Sequence, residues 1–331
     1  MRSILVVGGA GYIGSVTAHL LLELGYDVTV VDSLVRGHAS ALPRDANFVQ
    51  ADIRDRPQMA SVLAALRPDC VLHFAALAYV GESFQKAGEY FDVNVGGTAS
   101  LAAAMSEAGV RNLVFSSSCT VYGAPDTLPI TEDAAVKPAE SPYGQTKQAC
   151  ENMLTWLSRT AGLSVAFLRY FNAAGAWKQL GEDHRPETHL IPLVLDAALG
   201  RTGPLTVFGT DYPTPDGTCV RDYIHVRDLA YAHAAACERL IGGDAGQRLV
   251  ANLGAGKGHS NLEVIRCVER ITGKPVPFGM GVRRPGDAAE LVASNSHSSA
   301  VLHWTPQHST LEEIVATAHE WRLKHPAGYP D

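Results

Sequence analysis

Three glycines constrain this chain more than any other feature. Gly8-x-x-Gly11-x-x-Gly14 stands between a continuous apolar run, Ile4-Leu5-Val6-Val7, and a helical pattern that begins at Tyr12. A run apolar at every residue is what a strand buried on both faces of a parallel sheet requires. A strand that turns through glycines into a helix N-terminus offers unpaired backbone N–H groups, and the positive end of the helix dipole, to a pyrophosphate. Glycine is needed there because the turn is tight and a Cβ would hold the anion off the backbone. Asp32 follows Gly14 by 18 residues and ends the next strand, Val28–Val31. A carboxylate there binds a ribose 2′-hydroxyl and repels a 2′-phosphate, so the turn reads as a dinucleotide site for NAD. Asp52, after a third strand, is placed to accept from an adenine amino group, although an acid there also serves as a turn residue or helix cap.

Short β-rich runs alternate with helical stretches through the first 170 residues. Phe48-Val49, Cys70–Phe74, Leu113–Phe115 and Val165–Leu168 continue the strand series. Met59–Leu66, Ala99–Ala108 and Tyr143–Ala161 are the helical stretches between them, and Gly25 closes the first helix as a C-cap. This spacing predicts an α/β fold, a Rossmann-like doubly wound parallel sheet. After Asn172 the rhythm changes to polar, irregular segments, with a helix over Leu190–Leu199 that has Pro192 in its first turn. The expected division is residues 1–172 as an NAD-binding domain and 173–331 mainly as a smaller C-terminal α/β substrate lobe. Segments near 222–255, including the strand-like Asp222–Val226 and Leu249–Leu253, are expected to return to the first domain.

Composition narrows the function classes. Glycine is 31 of 331 residues, about 9% against a usual ~7%, and lies in short clusters that suit turns around ligands. With 46% hydrophobic and 18% charged residues the chain is not a disordered one. A net charge of −7 argues against nucleic acid as a partner, so any phosphate must be held locally. No apolar run reaches the ~18 residues of a membrane span, and the glycine turn cuts the N-terminal run too short for a signal peptide. The six cysteines are widely spaced, with no Cys-x-x-Cys, and read as reduced thiols of a cytoplasmic protein. The 13 histidines contain no His-Glu-x-x-His, and no metal is expected.

Tyr143 and Lys147 lie four apart on a helical stretch and share a face. Ser118 lies just past the strand Leu113–Phe115, at the carboxyl edge of the sheet where ligands of such folds bind. Oxidising a secondary alcohol means removing its hydroxyl proton as hydride leaves carbon. A tyrosine with a pKa near 10 is too weak a base at neutral pH unless its phenolate is stabilised. An ammonium about 5 Å away, at an effective dielectric of ~20, supplies about 3 kcal/mol, or roughly two pKa units. Tyr143 is thus the expected base, Lys147 its electrostatic aid and a holder of the nicotinamide ribose, and Ser118 the group that orients the sugar oxygen.

Further stretches carry a resemblance over nearly the whole chain. They are Gly8–Gly14, His73-Phe74-Ala75-Ala76, Ser116–Gly123, Ser141-Pro142-Tyr143-Gly144 and Leu168-Arg169-Tyr170-Phe171-Asn172. In the second half they are Asp211–Thr214, Asp216–Thr218, Val220–Val226, Asn252-Leu253-Gly254, Arg283-Arg284-Pro285-Gly286-Asp287 and the ending His325–Asp331. With these the chain resembles the extended short-chain dehydrogenase/reductase family, and within it the UDP-glucose 4-epimerases. The resemblance implies a tightly held NAD that is not consumed, with Tyr12, Ile13, Ile53, Phe74, Ala75, Ala76, Asn94 and Tyr170 joining the cofactor site. It implies that UDP-glucose and UDP-galactose are the substrates. Tyr143 takes the 4-hydroxyl proton, the C4 hydride passes to NAD, the 4-keto sugar turns over and is reduced on its other face. Asn172, His189, Leu190, Phe208, Arg221, Tyr223, Arg284, Asp287 and Leu291 are then the implied substrate contacts, Arg221 and Arg284 suiting the diphosphate. A homodimer joined through Glu89–Ala108 and Tyr143–Ala161 is implied as well.

Two departures mark the chain. Many relatives carry a lysine where this chain has Ala78, so a cofactor contact is expected to be missing; His189 replaces a common asparagine. Leu291 occupies the position where tyrosine narrows the pocket to glucose and galactose and a small residue admits N-acetyl sugars. The alternatives are an epimerase of UDP-GlcNAc/UDP-GalNAc or of a UDP-pentose, a nucleotide-sugar dehydratase, and a non-catalytic NAD-sensing protein. The dehydratase needs an Asp-Glu pair where this chain has Cys119-Thr120, and the sensor would have lost Tyr143 and Lys147.

Overall fold

The computed structural model describes residues 1–284 and 287–330; Pro285, Gly286 and Asp331, which belong to two of the resembling motifs, lie outside the described residues. The first half contributes strands β1 (Ser3–Val7), β2 (Asp27–Asp32), β3 (Asn47–Gln50), β4 (Cys70–His73), β5 (Asn112–Ser118) and β6 (Ser164–Tyr170). The second contributes β7 (Asn172–Ala174), β8 (Leu205–Phe208), β9 (Val220–His225), β10 (Arg248–Leu253), β11 (Gly258–Ser260), β12 (Phe278–Gly281) and β13 (Glu290–Leu291). A seven-stranded sheet runs β10-β6-β5-β4-β1-β2-β3, every neighbouring pair parallel.

The apolar run of β1 explains why the sheet is covered twice. Successive residues of a strand point to opposite faces. Ile4 and Val6 pack with Ala18 and Leu21 of the helix Tyr12–Glu23 and with Leu229, Ala232 and Cys237 of the helix Val226–Ile241. Leu5 and Val7 pack on the other side with Met59, Leu63, Leu101, Met105, Cys150 and Leu154. Strand order reverses about β1, with β2 on one side and β4 on the other, which opens a crevice beyond their carboxyl ends.

Strands β5 and β6 run past the carboxyl ends of their apolar runs. β5 continues through Ser116-Ser117-Ser118 because β6 pairs with it to the end, Ser118 opposite Tyr170. Ser118 is therefore the last residue of the strand. Leu249–Leu253 lies in β10, at the edge of the main sheet beside β6. Asp222–Val226 divides differently: β9 pairs with β7, β11 and β13 in a separate four-stranded sheet, and Val226 opens the helix that covers the main sheet. Here an apolar run was shared between two elements.

The second half, proposed to form the smaller lobe, has its own core, formed by Ile191, Val194, Tyr223, Val264, Val268, Ile314 and Val315. Two of its helices start where side chains satisfy free backbone N–H groups. Ser260 and Glu263 form a reciprocal capping box on Asn261–Thr272, and Thr310 caps Leu311–Lys324. No described helix is long and apolar enough to cross a membrane.

Candidate active site

A cavity of about 1270 Å³ follows the carboxyl edge of the main sheet and reaches the second lobe. Single small-molecule sites usually measure roughly 300–1,000 Å³, so this one has room for two ligands. Its wall includes the glycine turn and Asp32, the group Ser118, Tyr143 and Lys147, and Arg221, Arg284 and Leu291.

The glycine turn is built for a close anion. Gly8 has φ +83°, and a Cβ on it would meet the Ala75 Cα at 2.7 Å. A Cβ on Gly14 would overlap the Gly8 carbonyl oxygen. The helix that follows starts at Gly11 with no side-chain cap and no acid in its first turn, so its N–H groups stay available to an anion. Tyr12, Ile13, Phe74, Ala75 and Ala76 join this wall. The Asp32 carboxylate accepts from Ala10 N at 2.9 Å and from Leu34 N at 2.8 Å, which locks it to the turn. Burial raises its pKa, and these backbone N–H groups oppose the rise. Asp52 and Ile53 also line the cavity. Asp52 is clasped by Arg54, whose hydrogen bonds lower its pKa, so its oxygens already have donors.

The helix Pro142–Ala161 is aimed by its start. Ser141 accepts the Gly144 N–H at 3.1 Å, and Pro142 stands in the first turn, where its missing N–H costs nothing. Tyr143 and Lys147 are both buried and both on the cavity wall. The Lys147 Nζ is 5.8 Å from the Tyr143 ring centre and donates to the Ser116 carbonyl at 2.8 Å. Ser118 Oγ accepts from Thr120 N and Thr120 Oγ1. Burial pushes the Tyr143 phenol above its usual range, and a hydrogen bond with Ser118 opposes it. Burial pulls Lys147 down to about 8, while Cys150 and Glu151 hold it up. In the chain alone desolvation of the phenol dominates, and Ser118 rather than Lys147 is the group that opposes it. Tyr170 also lines the wall, its phenol pushed up to about 12 by burial. Behind this face lies a buried ion pair: Glu151 accepts from Arg169 Nε at 2.9 Å and from Ser117 at 2.6 Å.

The second-lobe residues divide. Asn172, His189, Arg221, Arg284, Asp287 and Leu291 are on the wall. Arg221 is tied to Asp287 at 2.8 Å and to the Val220 and Ala288 carbonyls, so Asp287 orients the guanidinium. Arg284 stands 4.0 Å from the Phe208 ring centre. Four of the expected contacts are off the wall. Phe208 lies behind Arg284, while Leu190 and Tyr223 pack into the core of the second lobe. Asn94, expected at the cofactor, pairs instead with both backbone groups of Leu77 and donates to Thr146, whose hydroxyl donates to the Tyr143 carbonyl. It splices the segment after β4 to the helix of Tyr143.

Two groups were missed in the sequence. Arg36 pairs with both Glu82 oxygens, donates to the Arg185 carbonyl and lies over the Tyr79 ring, belting three loops at the cavity beside Ala78. Glu182, His184, Glu187 and His189 converge in the irregular segment after β7. Against burial, which lowers its pKa, the charges of Glu182 and then Glu187 raise His189 to about 10. The signal for this cluster was present as Glu-x-His-x-x-Glu-x-His. A search for His-Glu-x-x-His alone passes over it.

The family model described as the NAD dependent epimerase/dehydratase family matches residues 4–254. A UDP-glucose 4-epimerase of Streptomyces lividans is 48% identical over 328 residues, covering 99% of this chain and 98% of that one. The crystal structure of a UDP-glucose 4-epimerase from Brucella ovis in complex with NAD superimposes with a TM-score of 0.93 at 46% identity, over 97% of this chain and 98% of that one. A UDP-glucose 4-epimerase from Stenotrophomonas maltophila, with bound NAD and formylated UDP-arabinopyranose, gives 0.94 at 43% identity, over 98% and 99%.

Proposed function

The chain belongs to the NAD dependent epimerase/dehydratase family, and on that premise we propose that it interconverts UDP-glucose and UDP-galactose at C4 with a retained NAD. One observation carries this reading. A single cavity joins a glycine turn free of side chains to a Tyr143–Lys147–Ser118 group and to an arginine-bearing wall in the second lobe. The turn fits NAD, since the uncapped helix start suits its pyrophosphate and Asp32 suits its adenosine ribose. Bound NAD supplies the hydride acceptor for C4 and a positive ring that favours a nearby phenolate.

The chain's own groups handle the proton and the anchoring. Tyr143 removes the 4-hydroxyl proton and returns it when the ring presents its other face. Lys147, about nine-tenths charged at pH 7 with a pKa of about 8, favours the phenolate. Ser118 orients the sugar oxygen. Arg284 and Arg221, the latter aimed by Asp287, attract the diphosphate and leave the hexose free to turn. Cys119, its thiol pushed up to about 12 by burial, stays neutral, and Thr120 donates to Ser118, so neither serves the acid–base pair that dehydration needs. Leu291 leaves the sugar end wider than a tyrosine would, and glucose and galactose are the preferred hexoses.

The chain is also proposed to act as a cytoplasmic homodimer. All six cysteines are free and buried, which suits a reducing compartment. Phe91 and Trp156 are exposed apolar residues, in Glu89–Ala108 and Tyr143–Ala161, the segments proposed to pair. Light scattering of the purified chain tests the dimer. The test of the reaction is incubation with UDP-galactose in buffer without cofactor. UDP-glucose is the expected product; no conversion, even with NAD added, contradicts the reading.

A further inference from the structure

The segment between β7 and the helix Leu190–Ala198 holds four groups that proton and hydride transfer do not use. Glu182, His184, Glu187 and His189 each bring one donor atom within 4.8 Å of the others. The Nδ1 atoms of His189 and His184 lie 2.6 and 3.0 Å from the same Glu182 oxygen, and 3.4 and 3.9 Å from one Glu187 oxygen. These separations bracket the ~3.4 Å edge of a tetrahedron whose ligands stand ~2.1 Å from its centre. Both Nδ1 atoms are buried, and neither meets a partner in hydrogen-bonding geometry. The two ring nitrogens and the two carboxylate oxygens thus gather within the span of one coordination shell.

We propose that this cluster is a structural site for a divalent transition metal of the zinc class, with Glu182, His184, Glu187 and His189 as its four ligands. Two nitrogens and two carboxylate oxygens suit zinc or cobalt, whereas calcium and magnesium call for oxygen donors throughout. Four protein donors close the coordination shell, which marks a structural rather than a catalytic centre. Supporting contacts orient the ligands. Glu187 accepts the Thr188 and His189 backbone N–H groups at 2.8 and 2.9 Å, and the rings of Tyr12 and Tyr79 meet His184 edge-on. Tyr12 belongs to the helix after the glycine turn and also donates to the Gly175 carbonyl. The metal therefore pins an irregular stretch of the second half against the cofactor end of the cavity. Without it, an ion pair of Glu182 with protonated His189 fills the same place, and the metal displaces that proton.

The test uses the tag-free holoprotein, dialysed against zinc and then against metal-free buffer, with metal measured by mass spectrometry. One zinc per chain is expected, falling to about 0.1 or less in Glu182→Gln and in His184→Gln. Removing zinc with a chelator should lower Tm by roughly 3–5 °C, and added zinc should restore it. Cobalt in the unaltered chain should give the intense visible bands of a tetrahedral centre, a readout independent of any variant's folding. The proposal fails if zinc stays far below one per chain, if His184→Gln retains it in full, or if cobalt gives only weak octahedral bands.

Discussion

Lys147→Met removes one charge from the centre of the site and keeps its length. The Lys147 Nζ is 5.8 Å from the Tyr143 ring centre. At an effective dielectric of ~20 that separation is worth about 3 kcal/mol to a phenolate, or about two pKa units. Epimerisation of UDP-galactose at pH 7 should therefore fall about 10²-fold. The pH profile should change with it. In the unaltered chain Lys147 carries its charge below its pKa of about 8 and loses it above, so its help fades as the tyrosine ionises more readily. The profile should then flatten above about pH 8, where the lost Lys147 charge offsets the rising phenolate fraction. In the variant the phenol must ionise unaided against burial, and the logarithm of the rate should climb nearly one unit per pH unit to at least pH 9. The assay is product UDP-glucose by chromatography, with cofactor content of each preparation from absorbance. A loss under about threefold, or a loss that scales with missing NAD, would refute the electrostatic role and leave Lys147 a cofactor anchor.

Other outcomes follow from single contacts. Gly8→Ala places a Cβ against the Ala75 backbone at φ +83°, so the variant should purify without NAD or fail to fold, as absorbance and circular dichroism would report. Asp222 is buried and accepts backbone N–H groups of Ala255, Gly256 and Ala293, yet burial lifts its pKa to about 6, well above its unfolded value. Its contribution to stability is fully present below about pH 4 and is lost as pH rises through 6, an effect of about 3 kcal/mol by urea unfolding that Asp222→Asn should flatten. Leu291→Ser should raise kcat/KM for UDP-GlcNAc relative to UDP-glucose by about tenfold, since one or two methylenes in a pocket are worth roughly 1–3 kcal/mol.

What the sequence made legible was local and periodic. The apolar run of β1, the glycine spacing and the four-residue step from Tyr143 to Lys147 each specify a structure within one element, and each is where the periodicity places it. Partners distant in the chain were not legible. Asp287 aims Arg221 across 66 residues, and Asn94 reaches Thr146 across 52, so both look like ligand contacts until their bonds are seen. Phe208 and Tyr223 show the converse, aromatic residues expected at the substrate whose rings serve an arginine and a core. The acidic–histidine loop escaped because its period matches neither helix nor strand.

The most direct test of hydride transfer within a closed site is UDP-galactose deuterated at C4, turned over in ordinary water by the chain as purified. Proton magnetic resonance of the UDP-glucose formed should show deuterium still at C4, because the hydride removed is the one returned to the other face. Hydrogen from solvent at C4, or epimerisation with no NADH absorbance at any stage, would contradict the account.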